Sequence, residues 1–249
     1  MRSEKFERII LGVGPHSPAD PALLRYVARF AKLLAADLHG LIIEDRRLAS
    51  AAGFPAMRIF RSVQDQWQQV EPEALERSLE RRNAAIKKEI AAIAKTAGIA
   101  ARIEGQPVTM EMLLADARQR DIIVIAEPAM PADCVMHPLE ALASQALNSQ
   151  AAVLFVPHPI ARSRGTILTF ARGPEDPVIS GAAMIAAMVK EPVECTIIGS
   201  KALTPPDPRA SWGLSPECLI VMARSSERPA APLAIALKRR VPVLVLDGT

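Results

Sequence analysis

The chain states one structural plan twice, and a repeat of that kind restricts the fold before any single motif is weighed. Ile10-Leu11 leads through Gly14 to Asp20-Pro21, then a helical pattern, then Leu41-Ile42-Ile43. Much further on, Ile167-Leu168 leads through Gly173 to Asp176-Pro177, an apolar stretch and Thr196-Ile197-Ile198. Each half closes on a helix feeding a short apolar strand: Ala146-Leu147 before Val153–Val156, and Ala236-Leu237 before Val243–Leu246. Strands alternating with helices predict an α/β fold with an open parallel sheet, and the duplication predicts two packed copies of it.

The first half carries the complete plan. Residues 8–13 form an apolar run suited to a buried parallel strand. Asp20 is a good N-cap and Pro21 a good first helical residue, ahead of Leu23, Leu24, Val27, Phe30, Ala31 and Leu34 at helical spacing. A second strand is expected over Leu38–Ile43. Ile59, Phe60, Val63 and Trp67 suggest a short amphipathic piece, with Trp67 expected in the core. A long helix follows over 72–97, stopped by Gly98, with Arg77, Arg81, Arg82, Lys87 and Lys88 on a solvated face. A third strand is expected over Ile99–Glu104, a helix capped by Thr109, a fourth strand over Ile122–Ala126, a helix opened by Pro138 and a fifth strand over Val153–Val156.

The second half is shorter. Between its second strand and the strand matching the fourth it spends 17 residues (217 minus 200), where the first half spends 75 (120 minus 45). The equivalent of helix, third strand and helix is missing, so this half is expected to need the first as a packing partner. Pro157-His158-Pro159 through Gly165 marks the boundary, giving units of 1–158 and 164–249.

Half of the 249 residues are hydrophobic, 23% are charged and the formal net charge is +3, which suits one or two globular domains. There is no clustered basic face with interleaved aromatics, so nucleic acid is not an expected partner. No apolar run approaches the roughly 18 residues of a membrane span, and the N-terminal Met1–Lys5 lacks signal-peptide character. Cys134, Cys195 and Cys218 are scattered and odd in number, which reads as reduced thiols and a cytoplasmic location. The four histidines show no metal-ligand spacing, and no G-x-S-x-G elbow is present.

In an open parallel sheet a ligand sits beyond the carboxyl ends of the strands where strand order reverses. In the first half this places Gly14, His16, Ser17, Glu44, Ala126 and Glu127 as candidates. Gly12-Val13-Gly14-Pro15-His16-Ser17 approximates a dinucleotide fingerprint, but Pro15 and Pro18 delay the helix whose amides would meet a pyrophosphate. Close packing and turning is the simpler role for its glycines. In the second half the candidates are Arg172, Gly173, Arg224, Ser225 and Ser226, in two loops expected to be neighbours. Paired arginines with hydroxyls suit a phosphate or carboxylate; alternatively each arginine pairs with Glu175 or Glu227 in its own loop.

Residues Arg8–Ser17, Leu38–Asp45, Asp121–Ala126 and Leu142–Val156, with their counterparts in the second half, resemble the universal stress protein family in its tandem form, with a degenerate second unit. Glu44-Asp45, Leu48-Ala49, Gly53-Phe54-Pro55-Ala56 and Leu75-Glu76-Arg77 resemble a bacterial branch with an extended segment after strand two. The resemblance implies a Rossmann-like sheet in which the last strands of the two units pair edge to edge. Its ATP-binding members carry an Asp after strand one, then G-x-x-G and Gly-Ser or Gly-Thr after strand four. Here Gly14 stands near the Asp, Ala126 and Ala129 stand at the glycines with Glu127-Pro128 between, and Glu140-Ala141 stand near Gly-Ser. A carboxylate repels phosphate and a proline removes an N–H donor. The resemblance therefore implies a regulatory or scaffolding protein without catalytic residues, metal or cofactor, which associates with a protein partner or itself. The alternative is a binder of ATP, AMP or a small anion through a divergent site.

Overall fold

A computed structural model describes residues 6–13, 20–43, 58–61, 66–69, 71–104, 108–128, 139–197, 216–225 and 229–247. The first half supplies strands β1 (Arg8–Val13), β2 (Asp37–Ile42), β5 (Ala101–Ile103), β6 (Asp121–Ala126) and β7 (Ala152–Val156). The second supplies β8 (Thr166–Ala171), β9 (Val193–Ile197), β10 (Glu217–Ala223) and β11 (Val243–Leu246). Together they form one nine-stranded sheet in the order β5-β2-β1-β6-β7-β11-β10-β8-β9. Read outward from the middle, both halves run fifth, fourth, first, second; among the described residues only the first half goes on to a third strand.

The halves meet at β7 and β11, the one antiparallel pair in this sheet, with Leu154 opposite Leu244, Val153 opposite Val245 and Phe155 opposite Val243. All six are buried. The edge-to-edge pairing expected of the last strands is thus realised within one chain, and it covers two edges that would otherwise invite aggregation. The pairing also defines which residues correspond. Leu154 matches Leu244, Ile123 matches Ile220, Ile9 matches Ile167 and Leu38 matches Val193.

Six helices among the described residues cover the sheet: α1 (Pro21–Leu34), α2 (Pro72–Ala97), α3 (Met110–Asp116), α4 (Leu139–Leu147), α5 (Pro177–Val189) and α6 (Ala231–Arg239). Helices α1, α2 and α5 pack on one face through Leu24, Val27, Ile86, Ile90, Val178, Ala182 and Ile185. Helices α3, α4 and α6 pack on the other through Leu113, Ala143, Leu147, Leu233 and Ile235. The two Asp-Pro entries work alike. The Asp20 carboxylate accepts from the Ala22 N–H at 2.9 Å, and that of Asp176 from the Val178 N–H at 3.0 Å. Each satisfies an orphan donor of the first turn, while the proline has none to lose.

Three expectations need correction. The stretch containing Ile59 and Trp67 forms an antiparallel hairpin of β3 (Arg58–Arg61) and β4 (Gln66–Gln69), and Trp67 is 65% exposed. A two-stranded ribbon has too few neighbours to bury an indole. The third strand is shorter than expected, because Ile99 closes α2 by donating to the Ala94 carbonyl before β5 begins. The second strand of the second half starts earlier, at Val193. Helix α2, by contrast, spans 72–97 as the periodicity predicts, and Gly98 ends it in the left-handed conformation.

Gly165, just before β8, has φ of +137°, and a Cβ there would collide with the Pro216 carbonyl oxygen. Only glycine fits that join between the halves. Its own carbonyl accepts from the Cys218 thiol at 3.1 Å. Burial, with Glu191 nearby, pushes that thiol up from 9.0 to about 11. The unfolded thiol therefore ionises first as pH rises, so this contribution to stability is full below about pH 9 and lost as pH rises through about 11. Cys218 should resist thiol reagents until the chain unfolds, and Cys218→Ala should flatten the alkaline decline in urea midpoint. Rapid native labelling of Cys218 would contradict this.

Candidate functional site

The strand order reverses between β1 and β6 in the first half and between β8 and β10 in the second, so two crevices open at the carboxyl ends of these strands. Gly14, His16, Ser17, Glu44, Ala129 and Ser226 lie outside the described residues. Ala126, Glu127, Arg172, Gly173, Arg224 and Ser225 are placed, and they reveal a relation between the two loops that follow the fourth strands.

Glu127 and Arg224 are equivalent positions of opposite charge. Each follows the terminal alanine of its strand, Ala126 or Ala223. Each anchors its backbone on the neighbouring last strand: the Glu127 N–H donates to Val156 and the Arg224 N–H to Leu246, both at 2.8 Å. Both side chains then cross to the other half. The Arg224 guanidinium donates to the carbonyls of Leu147 and Ser149 and, at 2.5 Å, to that of Ala151. These carbonyls lie at and just beyond the end of α4, where no intrahelical donor remains and the helix dipole is negative. Desolvation of the half-buried group pulls the Arg224 pKa down from its ordinary value, with Asp247 opposing that shift.

The reciprocal contact comes from the first half. The Glu127 carboxylate accepts from Arg240, which follows α6, and from the His158 N–H at 2.8 Å. Arg240 also donates to the His158 carbonyl at 2.7 Å. The His158 ring joins the cluster through Nδ1, 3.0 Å from the Asp20 carboxylate. The end of each fourth strand is thereby latched to the turn after the other half's last helix.

The second-half loops are neighbours, as expected. The Arg172 guanidinium donates to the Arg224 carbonyl, and the Arg172 N–H to the Asp176 carboxylate at 2.8 Å. The chemistry differs from an anion cradle, because Arg224 turns its donors toward peptide carbonyls. Glu227, the alternative partner of Arg224, lies outside the described residues, while Arg172 lies exposed at the crevice. Gly12 has the bland role suggested for it: a Cβ there would lie 3.1 Å from Ile43, so it lets β1 and its surroundings pack closely.

Sequence reasoning missed Asp20, His158 and Arg240 as parts of one cluster. Asp20 and His158 are separated by 138 residues, and so far apart no local pattern links them. The available signal lay in the repeat itself, which aligns Glu127 with Arg224. Among the described residues no group of three or more His, Cys, Asp or Glu is arranged to hold a metal ion, and no helix is long and apolar enough to cross a membrane.

This sheet, with its two halves joined through their last strands, is the universal stress protein fold. A universal stress protein from Archaeoglobus fulgidus superposes with a TM-score of 0.61 at 12% identity, over 97% of this chain and 96% of that one. A functionally unknown protein from Pseudomonas aeruginosa PAO1 superposes with a TM-score of 0.57 at 16% identity, over 98% and 93%. No protein-family model and no curated protein matches the chain.

Proposed function

We propose that the chain is a non-enzymatic, cytoplasmic, universal-stress-like protein with a regulatory or scaffolding role in stress response, acting through a protein partner or through itself. On this reading its halves are tandem copies, the second degenerate, and the nucleotide-binding capacity of the fold has been given up. The observation carrying the proposal is the reciprocal latch. Glu127 occupies the loop where a phosphate cradle would need small residues and free amides, and its carboxylate is committed to Arg240 and His158. The equivalent Arg224 is committed to the carbonyls beyond α4. Residues that could distinguish or hold a ligand are instead used to join the halves.

The second reading, a nucleotide or small-anion binder with a divergent site, draws on Arg172, whose charge sits exposed at the second crevice beside Ser225. Isothermal titration with ATP and AMP separates the two. The scaffolding reading expects no saturable heat. Micromolar affinity that disappears in Arg172→Ala, with the melting temperature unchanged, would establish the binder instead.

A further inference from the structure

We propose that β9 is a self-association edge: two copies of the chain pair antiparallel through β9, centred on Cys195. This deepens the scaffolding reading by naming its surface, although the structural argument rests on β9 alone.

The internal repeat provides the comparison. Leu38, Gly40 and Ile42 of β2 correspond to Val193, Cys195 and Ile197 of β9, because each set is in register with the matching positions of β1 or β8. In the first half that surface is finished. Ile90 of α2 lies against Gly40, β5 pairs the outer edge of β2, and Leu38 and Ile42 are each 1% exposed. In the second half, Val193 is 42% and Ile197 55% exposed, and Cys195 is exposed between them. Among the described residues only β8 pairs with β9. Among the described residues the same sheet position is thus apolar twice and covered once.

An edge strand of this kind is normally protected by lysine, proline or a bulge. The sequence Val193-Glu194-Cys195-Thr196-Ile197 has no lysine, proline or bulge within it, and Glu194 is its one charge. It is also self-complementary. Antiparallel pairing about Cys195 sets Val193 opposite Ile197 of the second copy and Glu194 opposite Thr196, so no like charges meet. Centring the pair on Glu194 would oppose two carboxylates, which disfavours that register. Val–Ile cross-strand pairs on both sides of the axis make an isologous contact of the type closed dimers use. The chain already joins sheet edges antiparallel about a twofold-like centre at β7 and β11. A β9 pair would repeat that device between molecules and extend the sheet from one copy into the next.

The register makes a chemical test available. Opposed residues of an antiparallel pair have Cα atoms about 4.5–5.5 Å apart. A disulfide accepts roughly 4.4–6.8 Å, so the two Cys195 residues should be bridgeable. In a Cys134→Ser background, sedimentation equilibrium at tens of micromolar is expected to give a dimer. Copper-phenanthroline should convert that dimer to a species held by a reducible Cys195–Cys195 bond. Ile197→Lys should sediment as a monomer with unchanged circular dichroism, and Val193→Lys provides a second variant should the first not fold. A wild-type monomer at hundreds of micromolar would overturn the proposal. So would a dimer that survives folded Ile197→Lys or Val193→Lys, or one that cannot be bridged through Cys195. Nucleotide titration remains a separate measurement: saturable ATP binding would remove the scaffolding reading and leave the β9 dimer standing, and a monomer would do the reverse.

Discussion

Arg224→Ala is expected to lower unfolding free energy by about 3 kcal/mol, a large loss for one side chain outside the hydrophobic core. The guanidinium satisfies three carbonyls at the end of α4 from the opposite half of the molecule. A charge-assisted hydrogen bond of this sort contributes about 1.5–3 kcal/mol, and three on one fork are not additive. Truncation lets water reach some of these carbonyls, which recovers part of the loss. It also removes a cation from the negative end of a helix. Arg224→Lys should recover only a minor share, since an ammonium cannot reproduce the planar fork. Arg224→Met keeps much of the packed stem without the charge and should resemble alanine if the fork is what matters. Urea unfolding of the three variants measures this. A loss below about 0.5 kcal/mol for Arg224→Ala, the range of an ordinary surface substitution, would show that the contact is ornamental.

The same latch shows how far the sequence could be read. Asp20-Pro21 and Asp176-Pro177 announce helix starts because capping is local chemistry within one turn, and both caps form. Apolar runs such as Ile122–Ile125 and Val153–Val156 announce buried strands for the same reason. The symmetric joining of the halves was legible through the family resemblance, which implies that the last strands pair edge to edge, while the repeat supplied the two apolar strands concerned. The candidate loops were legible as places, and Arg172 does come to Arg224. Their roles were not, because the direction of a long side chain depends on what the other half presents. Arg224 reaches Leu147 across 77 residues and Arg240 reaches Glu127 across 113. The exposed Trp67 failed for a related reason: apolar character predicts burial only where a second layer exists to supply it, and a ribbon of two strands supplies little.

At the opposite, amino ends of the strands, Asp121→Ala is expected to cost about 3 kcal/mol, chiefly through the partner it abandons. Asp121 is 1% exposed and opens β6 directly opposite Arg8 on β1. Its carboxylate accepts from Arg8 Nε at 2.9 Å, from a terminal Arg8 nitrogen at 2.6 Å and from the Arg118 N–H at 2.8 Å. Bonding to Asp121 is the largest influence holding the Arg8 guanidinium above its ordinary pKa. Removing the acid leaves a partly buried cation and an unpaired backbone donor, and that asymmetry makes breaking such a pair worse than never having it. In the second half Thr166, which matches Arg8, pairs instead with Glu217 beside a register shift, and Glu217 bonds Arg239. With both charges removed no ion is left unpaired at this site, so the double variant Arg8→Thr/Asp121→Cys should be less destabilised than Asp121→Ala alone, despite changing two residues. Urea midpoints for Asp121→Ala, Arg8→Ala and the double replacements would give a coupling energy of about 2 kcal/mol. Additive losses would mean that the pair contributes through packing alone. The crevices lie at the other ends of these strands, so ligand titrations on the folded Asp121 variants should match wild type.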